Sequence, residues 1–372
     1  LVMPVICNRA ARPLYPAIWV FVGYASLVAV VTATNGGGTV EDNLFVGGQL
    51  LVLVGFGNFT MTANGLADAQ FVPRVSVAFL VGQSLSAATA VLQLLGQSFF
   101  GTGAVQGRAL GLADHPNTLG LMSCVAILLA LHFLTVAGRH RFLVFAALAL
   151  NLLGLIASGS LSAVMAVVLG AVVLIISKRE QMGRIALRGL GLLLAIWLAG
   201  AVTGVFGYLP SLIERYEQVT GQTQSDSSWE IRIRTYEFAW ERIIQEPLSG
   251  NGLGAEWSGT FNGITVTHNL VLRAWYQGGI FLAAAFALVV AVVVIVAVRS
   301  MIRQQYGGEA CVLVAVMVLA LTGAFFEQRE HWLPFIVAWA SISAAEVRRR
   351  REHSAVARSD VAHRGRAGSE AS

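Results

Sequence analysis

Apolar residues along this chain fall into blocks of about twenty separated by short polar joints, with one polar interval of about sixty residues in the second half. A block of about 20 apolar residues carries an α-helix across roughly 30 Å of hydrocarbon. Such windows lie near 14–33, 44–61, 72–95, 117–137, 142–158, 160–177, 186–206, 268–298, 311–326 and 332–346. They predict an all-α polytopic integral membrane protein of about ten transmembrane helices. One membrane domain is expected over 1–351, with a large extracytoplasmic loop at about 207–267 and a disordered tail over 352–372. No internal repeat is visible, so the usual sequence pointer to a secondary transporter is missing.

The polar interval has a pattern of its own. Ser227-Ser228-Trp229-Glu230 fits a capping box and predicts a helix start. Trp229, Ile233, Tyr236, Trp240, Ile243 and Ile244 then recur at helical spacing, and Pro247 stops the run. The spacing predicts an amphipathic helix with one face on the membrane domain or the bilayer interface.

Composition agrees with the hydropathy pattern. The mean hydropathy is +0.69 and only 12% of residues are charged, against about 25% in soluble domains. Of the 25 Lys and Arg residues, 18 fall on one side of the ten-helix layout, among them Arg9, Arg12, Arg74, Lys178, Arg299, Arg303 and Arg348–Arg351. That excess marks the cytoplasmic side and places both termini there. The net charge of +5 comes largely from Arg348–Arg351 and the tail, which read as a stop-transfer anchor on anionic lipid. No aromatic-and-basic face accompanies them, which excludes nucleic acid as a partner. The three cysteines lie in the N-terminal segment and two apolar spans, so no disulfide is expected between outer loops. The first apolar block has no A-x-A-like cleavage site after it and is expected to be retained.

Candidate chemistry gathers in the outer loops. Arg234 has Glu230 four residues before it and Glu237 three after, the spacing of a solvated ion pair. Arg232 has Ser228, Trp229, Thr235 and Tyr236 at the same spacings, none a carboxylate, so it reads as an interfacial arginine or an anion-binding one. The turn Pro247–Gly254 carries Gly250 and Gly252, which suit either a backbone cradle for phosphate or a plain reversal. His268 opens an apolar stretch; at about 1.5 Å per residue it stands roughly 15 Å from Gly278-Gly279, near the water boundary. Asp114 is expected to cap a helix with Pro116 in its first turn. Ser158-Gly159-Ser160-Leu161-Ser162 predicts a tight hairpin.

In combination these segments resemble the O-antigen polymerase and ligase superfamily of bacterial membrane glycosyltransferases. The resemblance rests on GRALGLADHPNTLG around Arg108–Gly120, the SGSLSA hairpin, RIRTYEFAWERIIQEPLSGNGLG over Arg232–Gly254, and HNLVLRAWYQGG over His268–Gly279. It implies a GT-C-like helical fold in the bacterial cytoplasmic membrane with an extracytoplasmic active site. It also implies transfer of a glycan from an undecaprenyl-diphosphate carrier to an acceptor hydroxyl, with inversion, without a metal or other cofactor. By that resemblance Arg232 binds the donor diphosphate and His268 is the essential loop histidine. Arg108, His115, Asn117, Arg215, Gly250, Gly252 and Asn269 are then substrate contacts. Where many relatives have Ser-Arg in the hairpin this chain has Ser160-Leu161. A surface-polysaccharide polymerase is expected, because no acceptor-recognition domain is appended; ligation to a lipid or protein acceptor is the alternative. A transporter or lipid-linked flippase is the rival from another class. Expected partners are the carrier-linked oligosaccharide, a glycan acceptor, membrane lipid and other polysaccharide-assembly membrane proteins.

Overall fold

The structure, a computed structural model, describes residues 12–33, 39–98, 103–105, 107–136, 140–181, 228–254, 258–263, 265–323 and 328–369. Among these residues the fold is helical, and the bridges Val105–Arg108 and Phe261–Thr265 are isolated. We number the helices α1 (Pro16–Ala33), α2 (Val40–Ala67), α3 (Phe71–Leu94), α4 (Pro116–Val136), α5 (Arg141–Ser158), α6 (Leu161–Ser177), α7 (Ser228–Gln245), α8 (Leu270–Arg303), α9 (Gly307–Thr322) and α10 (Arg329–Ser369). The predicted window 186–206, Arg215 and Ser227 lie outside the described residues. Among the described residues five helices, α2, α3, α4, α5 and α8, are long and apolar enough to cross a membrane, and α1, α6 and α9 are shorter apolar helices.

The tail read as disordered from residue 352 continues α10 to Ser369. Its Ala, Arg, Glu and Val content contains no Pro, and the first Gly is Gly365, so nothing interrupts the helix that the span has already nucleated.

Lipid is as apolar as leucine, so these helices associate through close packing and buried polar pairs rather than by escape from water. Small residues make the approach possible. A Cβ on Gly154 of α5 would lie 2.8 Å from Ala87 of α3, and one on Gly120 of α4 would lie 2.8 Å from Ser160. Gln83 of α3 donates to Ser123 of α4 at 3.0 Å, and Asn151 of α5 donates to Ser84 of α3 at 3.0 Å. An aromatic cluster joins α1, α8 and α10: Trp19 meets Trp339 at 4.9 Å, and Phe286 stacks on Trp332 at 5.6 Å.

This packing sorts the helix ends into two poles. The start of α4, the α5–α6 hairpin, α7, the start of α8, the end of α9 and the start of α10 meet at one pole. The start of α1, the end of α8 and the arginine-rich part of α10 meet at the other.

Candidate active site

Helix α7 sets the position of Arg232. Against the predicted stripe, the buried side carries the small residues Thr235 and Ala239 with Ile243, while Ile233, Trp240 and Ile244 stay exposed. Small side chains allow close approach to α8, where Ala239 and Ile243 pack on Tyr276. The bulky apolar residues face outward, the orientation of a helix lying in a bilayer interface. Two hydrogen bonds then tie α7 to the strand-like approach into α8. Thr267 donates to the Thr235 carbonyl at 3.2 Å, and Tyr236 donates to the His268 carbonyl at 3.3 Å. The register of Arg232 against His268 is thereby set.

The glycine turn has a different role from the phosphate cradle considered above. The amides of Gly250, Asn251, Gly252 and Leu253 donate to Glu246, Tyr276, Gln277 and the Asn43 side chain at 3.1, 2.8, 3.1 and 2.7 Å. No amide in that run points to open space for an anion. Gly250 and Gly252 are absent from the cavity wall described below. The turn locks onto a break in α8 at Gly279, whose φ of 79° is left-handed and whose Cβ would fall 2.1 Å from the Leu248 carbonyl. Asn269 is likewise accounted for by structure, since its side chain accepts from the Val271 and Leu272 amides as the α8 cap.

The loop before α4 brings the second group of residues in. Gln93 accepts from the Leu110 and Gly111 amides and donates to the Gly111 carbonyl, which pins the loop to α3. Arg108 donates to the Ser158 carbonyl and to Asn117 Oδ1, both at 2.7 Å. It lies outside the cavity wall and positions Asn117 against the hairpin. The predicted cap at Asp114 is supplied instead by His115, whose Nδ1 accepts from the Asn117 amide at 3.0 Å. An aromatic acceptor two residues before the amide closes the turn as a carboxylate would. It also places the His115 ring proton on Nε2.

Between these elements lies a cavity of about 330 Å³. Its wall includes Arg232, His268, His115, Asn117, Ser162 and His331. Arg232 donates to Ser162 Oγ at 3.1 Å, so the hairpin orients the guanidinium. By contrast Arg234 points to solvent and pairs with Glu230 at 2.6 Å. Burial lowers the His268 pKa to about 4, with the Arg232 and Arg273 guanidiniums adding to the effect and the Val266 backbone opposing it. His115 is also held below its ordinary value, by burial first and then by Arg108, with Asp114 opposing. Near neutral pH both imidazoles are therefore neutral, and the positive charge of the site belongs to arginine. Behind it, Arg273 is buried and donates to Gln277 at 3.1 Å, and Gln277 donates to Ser258 at 3.0 Å.

Residues 145–287 match the family described as O-antigen ligase. That match supports the resemblance to the O-antigen polymerase and ligase superfamily. The match supports a membrane function of the O-antigen ligase and polymerase type. Among curated proteins none matches the chain.

The matched O-antigen ligase segment contains the hairpin, Arg232 and His268, and the fold adds residues from outside it. Arg232, His268, His115 and Asn117 come together; Arg108, Asn269, Gly250 and Gly252 support the walls; Arg215 lies outside the described residues. Sequence reasoning missed Ser162, Gln328 and His331 in this cavity. Ser162 was assigned to a hairpin needing no chemical role. His331 carried a usable signal, since counting spans puts Gln328–His331 on the same side as His268.

Proposed function

We propose that this enzyme moves a glycan from an undecaprenyl-diphosphate carrier to an acceptor hydroxyl within the Arg232–His268 cavity. The observation that carries the reading is the convergence of a hydrogen-bonded guanidinium and a neutral imidazole on one cavity at one pole of the bundle. The guanidinium fork suits two phosphate oxygens and stabilises the charge that grows on the leaving diphosphate. The neutral imidazole takes the acceptor proton as the hydroxyl oxygen attacks the anomeric carbon. The new glycosidic bond forms on the face opposite the breaking carbon–oxygen bond, and the electron pair leaves on the diphosphate with inversion. A bound diphosphate adds negative charge beside His268 and raises its basicity, so the donor readies the base.

We further propose that arginine neutralises the diphosphate without a divalent ion. In support, no group of three or more His, Cys, Asp or Glu side chains is placed to hold a metal ion among the described residues, and transfer is expected to persist in chelator.

Two acceptors fit the same machinery. A second carrier-linked chain makes the enzyme a polymerase, the expectation from sequence. A different lipid or protein hydroxyl makes it a ligase, which the description of the matched family favours. Chemical analysis of surface glycan in a deletion strain separates them. Short chains indicate polymerase and unattached long chains indicate ligase, whereas lipid-linked units stranded on the cytoplasmic face would point to a flippase and sink the transferase reading.

A further inference from the structure

A cavity of about 960 Å³ is at the pole opposite the Arg232–His268 site. Along α8 the separation from His268 to Arg299 is about 45 Å at helical rise. Five arginines line the cavity, Arg12, Arg299, Arg303, Arg350 and Arg351, against the single carboxylate of Glu346. Glu346 is already engaged: it accepts from Arg349 at 3.0 Å and from Tyr306 at 3.2 Å. The wall therefore keeps a strong positive excess.

The lining is graded along the helix axes. On α8, Val296 precedes Arg299 and Arg303, and on α10, Ile342 and Val347 precede Arg350 and Arg351. Both helices run toward this pole, so the apolar side chains sit deeper in the bundle and the guanidiniums at its mouth. Leu14 and Pro16 close the third side at the start of α1. An anionic head with hydrocarbon attached matches that gradient; a wholly soluble anion would waste the deep wall.

The backbone around the mouth is held in an unusual way. Four non-glycine residues described in the chain have positive φ; two of them, Tyr15 and Tyr306, line this cavity, and a third, Gln304, stands between the lining residues Arg303 and Gln305. Such conformations persist where surrounding structure imposes them and cluster at ligand sites. Here the fastenings are visible: Leu14 donates its amide to Ser343 at 3.0 Å, Arg299 donates to the Tyr15 hydroxyl, and Ser300 donates to the Gln305 carbonyl.

We propose that this cavity is a binding site for the phosphate headgroup of an anionic phospholipid, with the acyl chains running along the α8 and α10 walls. The site is separate from the transfer cavity and is independent of the donor assigned there. A phosphodiester takes the fork of one or two arginines, and a second phosphate is accommodated by the remaining charge.

The test is lipid retention by the purified full chain, read by native mass spectrometry and by thermal unfolding in nanodiscs. Phosphatidylglycerol and cardiolipin are compared with phosphatidylcholine. The variants are Arg12→Gln with Arg303→Gln, whose guanidiniums have no hydrogen bond within the protein among the described residues. Arg74→Gln, at an exposed arginine paired with Asp68 at 2.9 Å, serves as the control. Each arginine near anionic lipid is worth about a fivefold change in affinity, so the double variant should lose roughly twenty-five-fold in anionic-lipid retention. Arg12→Lys with Arg303→Lys should fold like the wild type and keep much of the retention. Equal retention of phosphatidylcholine, or loss equal to that of Arg74→Gln, would overturn the proposal. Stabilisation by inorganic pyrophosphate in lipid-free detergent, with no preference among lipids, would assign the pole to a soluble diphosphate and overturn the lipid reading.

Discussion

At the scale of single residues, Arg232 and Arg234 stand two positions apart on one helix and face different worlds. Arg232 is half-buried on the hairpin at Ser162, whereas Arg234 holds an exposed pair with Glu230. Arg232→Ala is expected to lower transfer by at least about a hundredfold, the usual loss when a donor to developing charge is removed. Arg232→Lys should recover little, because an ammonium cannot reproduce the planar fork. Arg234→Ala removes a surface pair worth about 0.3–0.5 kcal/mol and should be mild. Equal tolerance of both alanine variants in folded, inserted protein would remove the reason for siting the chemistry here. His268→Ala should lose turnover while donor binding persists, the pattern of a group acting on the acceptor. Its pH behaviour follows from its surroundings. Folding lowers the His268 pKa from an ordinary 6.5 to about 4, so the unfolded chain binds the extra proton first. The stability this residue contributes is present above about 6.5 and falls away as pH drops toward about 4. In His268→Gln that component should vanish from the pH dependence of thermal unfolding. The acid limb of the rate should also sit higher at saturating donor than at trace donor, since the diphosphate raises the imidazole pKa; coincident limbs would count against it as the base.

At the scale of elements, the decisive feature is the break in α8. Gly279 adopts φ 79° inside an otherwise continuous helix, and the Pro247–Gly254 turn enters the gap. Gly279→Ala combines a left-handed backbone with a contact at 2.1 Å, and Gly250→Ala sets a Cβ 2.5 Å from the Gln277 carbonyl. Each should destabilise by more than about 2 kcal/mol and displace Arg232 and His268 together. Gly48→Ala on α2 has nothing within 4 Å and should be tolerated. Thermal unfolding in detergent distinguishes the three. The glycines were visible in the sequence as turn residues, but their partner was not, because the contact lies between backbone atoms about thirty residues apart. Of the two settings expected for the apolar face of α7, the membrane domain or the bilayer interface, its exposed Ile233, Trp240 and Ile244 fit the second. Hydrophobic spacing identifies an amphipathic helix, yet in a membrane the small face, not the bulky one, is the face that packs.

At the scale of the whole molecule, the two poles agree with the sorting of basic residues along the sequence. Arg12, Arg299, Arg303 and Arg350 share one pole, and Arg232, His268 and His331 share the other. We expect the arginine-rich pole to be cytoplasmic. Single cysteines at positions 184 and 222 in a cysteine-free background test this: impermeant reagent should reach 222 and not 184 in intact cells, and the reverse would invert the topology. The membrane class, the described blocks that become helices and the helical α7 with its stop at Pro247 were legible because hydropathy and local spacing are properties of short stretches, and the candidacy of Arg232 and His268 came from the family resemblance. Other features required the folded chain. Ser162 as partner to Arg232, His115 rather than Asp114 as cap, His331 in the cavity wall and the glycine turn as a lock all depend on contacts between segments tens to hundreds of residues apart. Sequence spacing reports which face a side chain takes on its own helix; only the packing of helix against helix decides what that face meets.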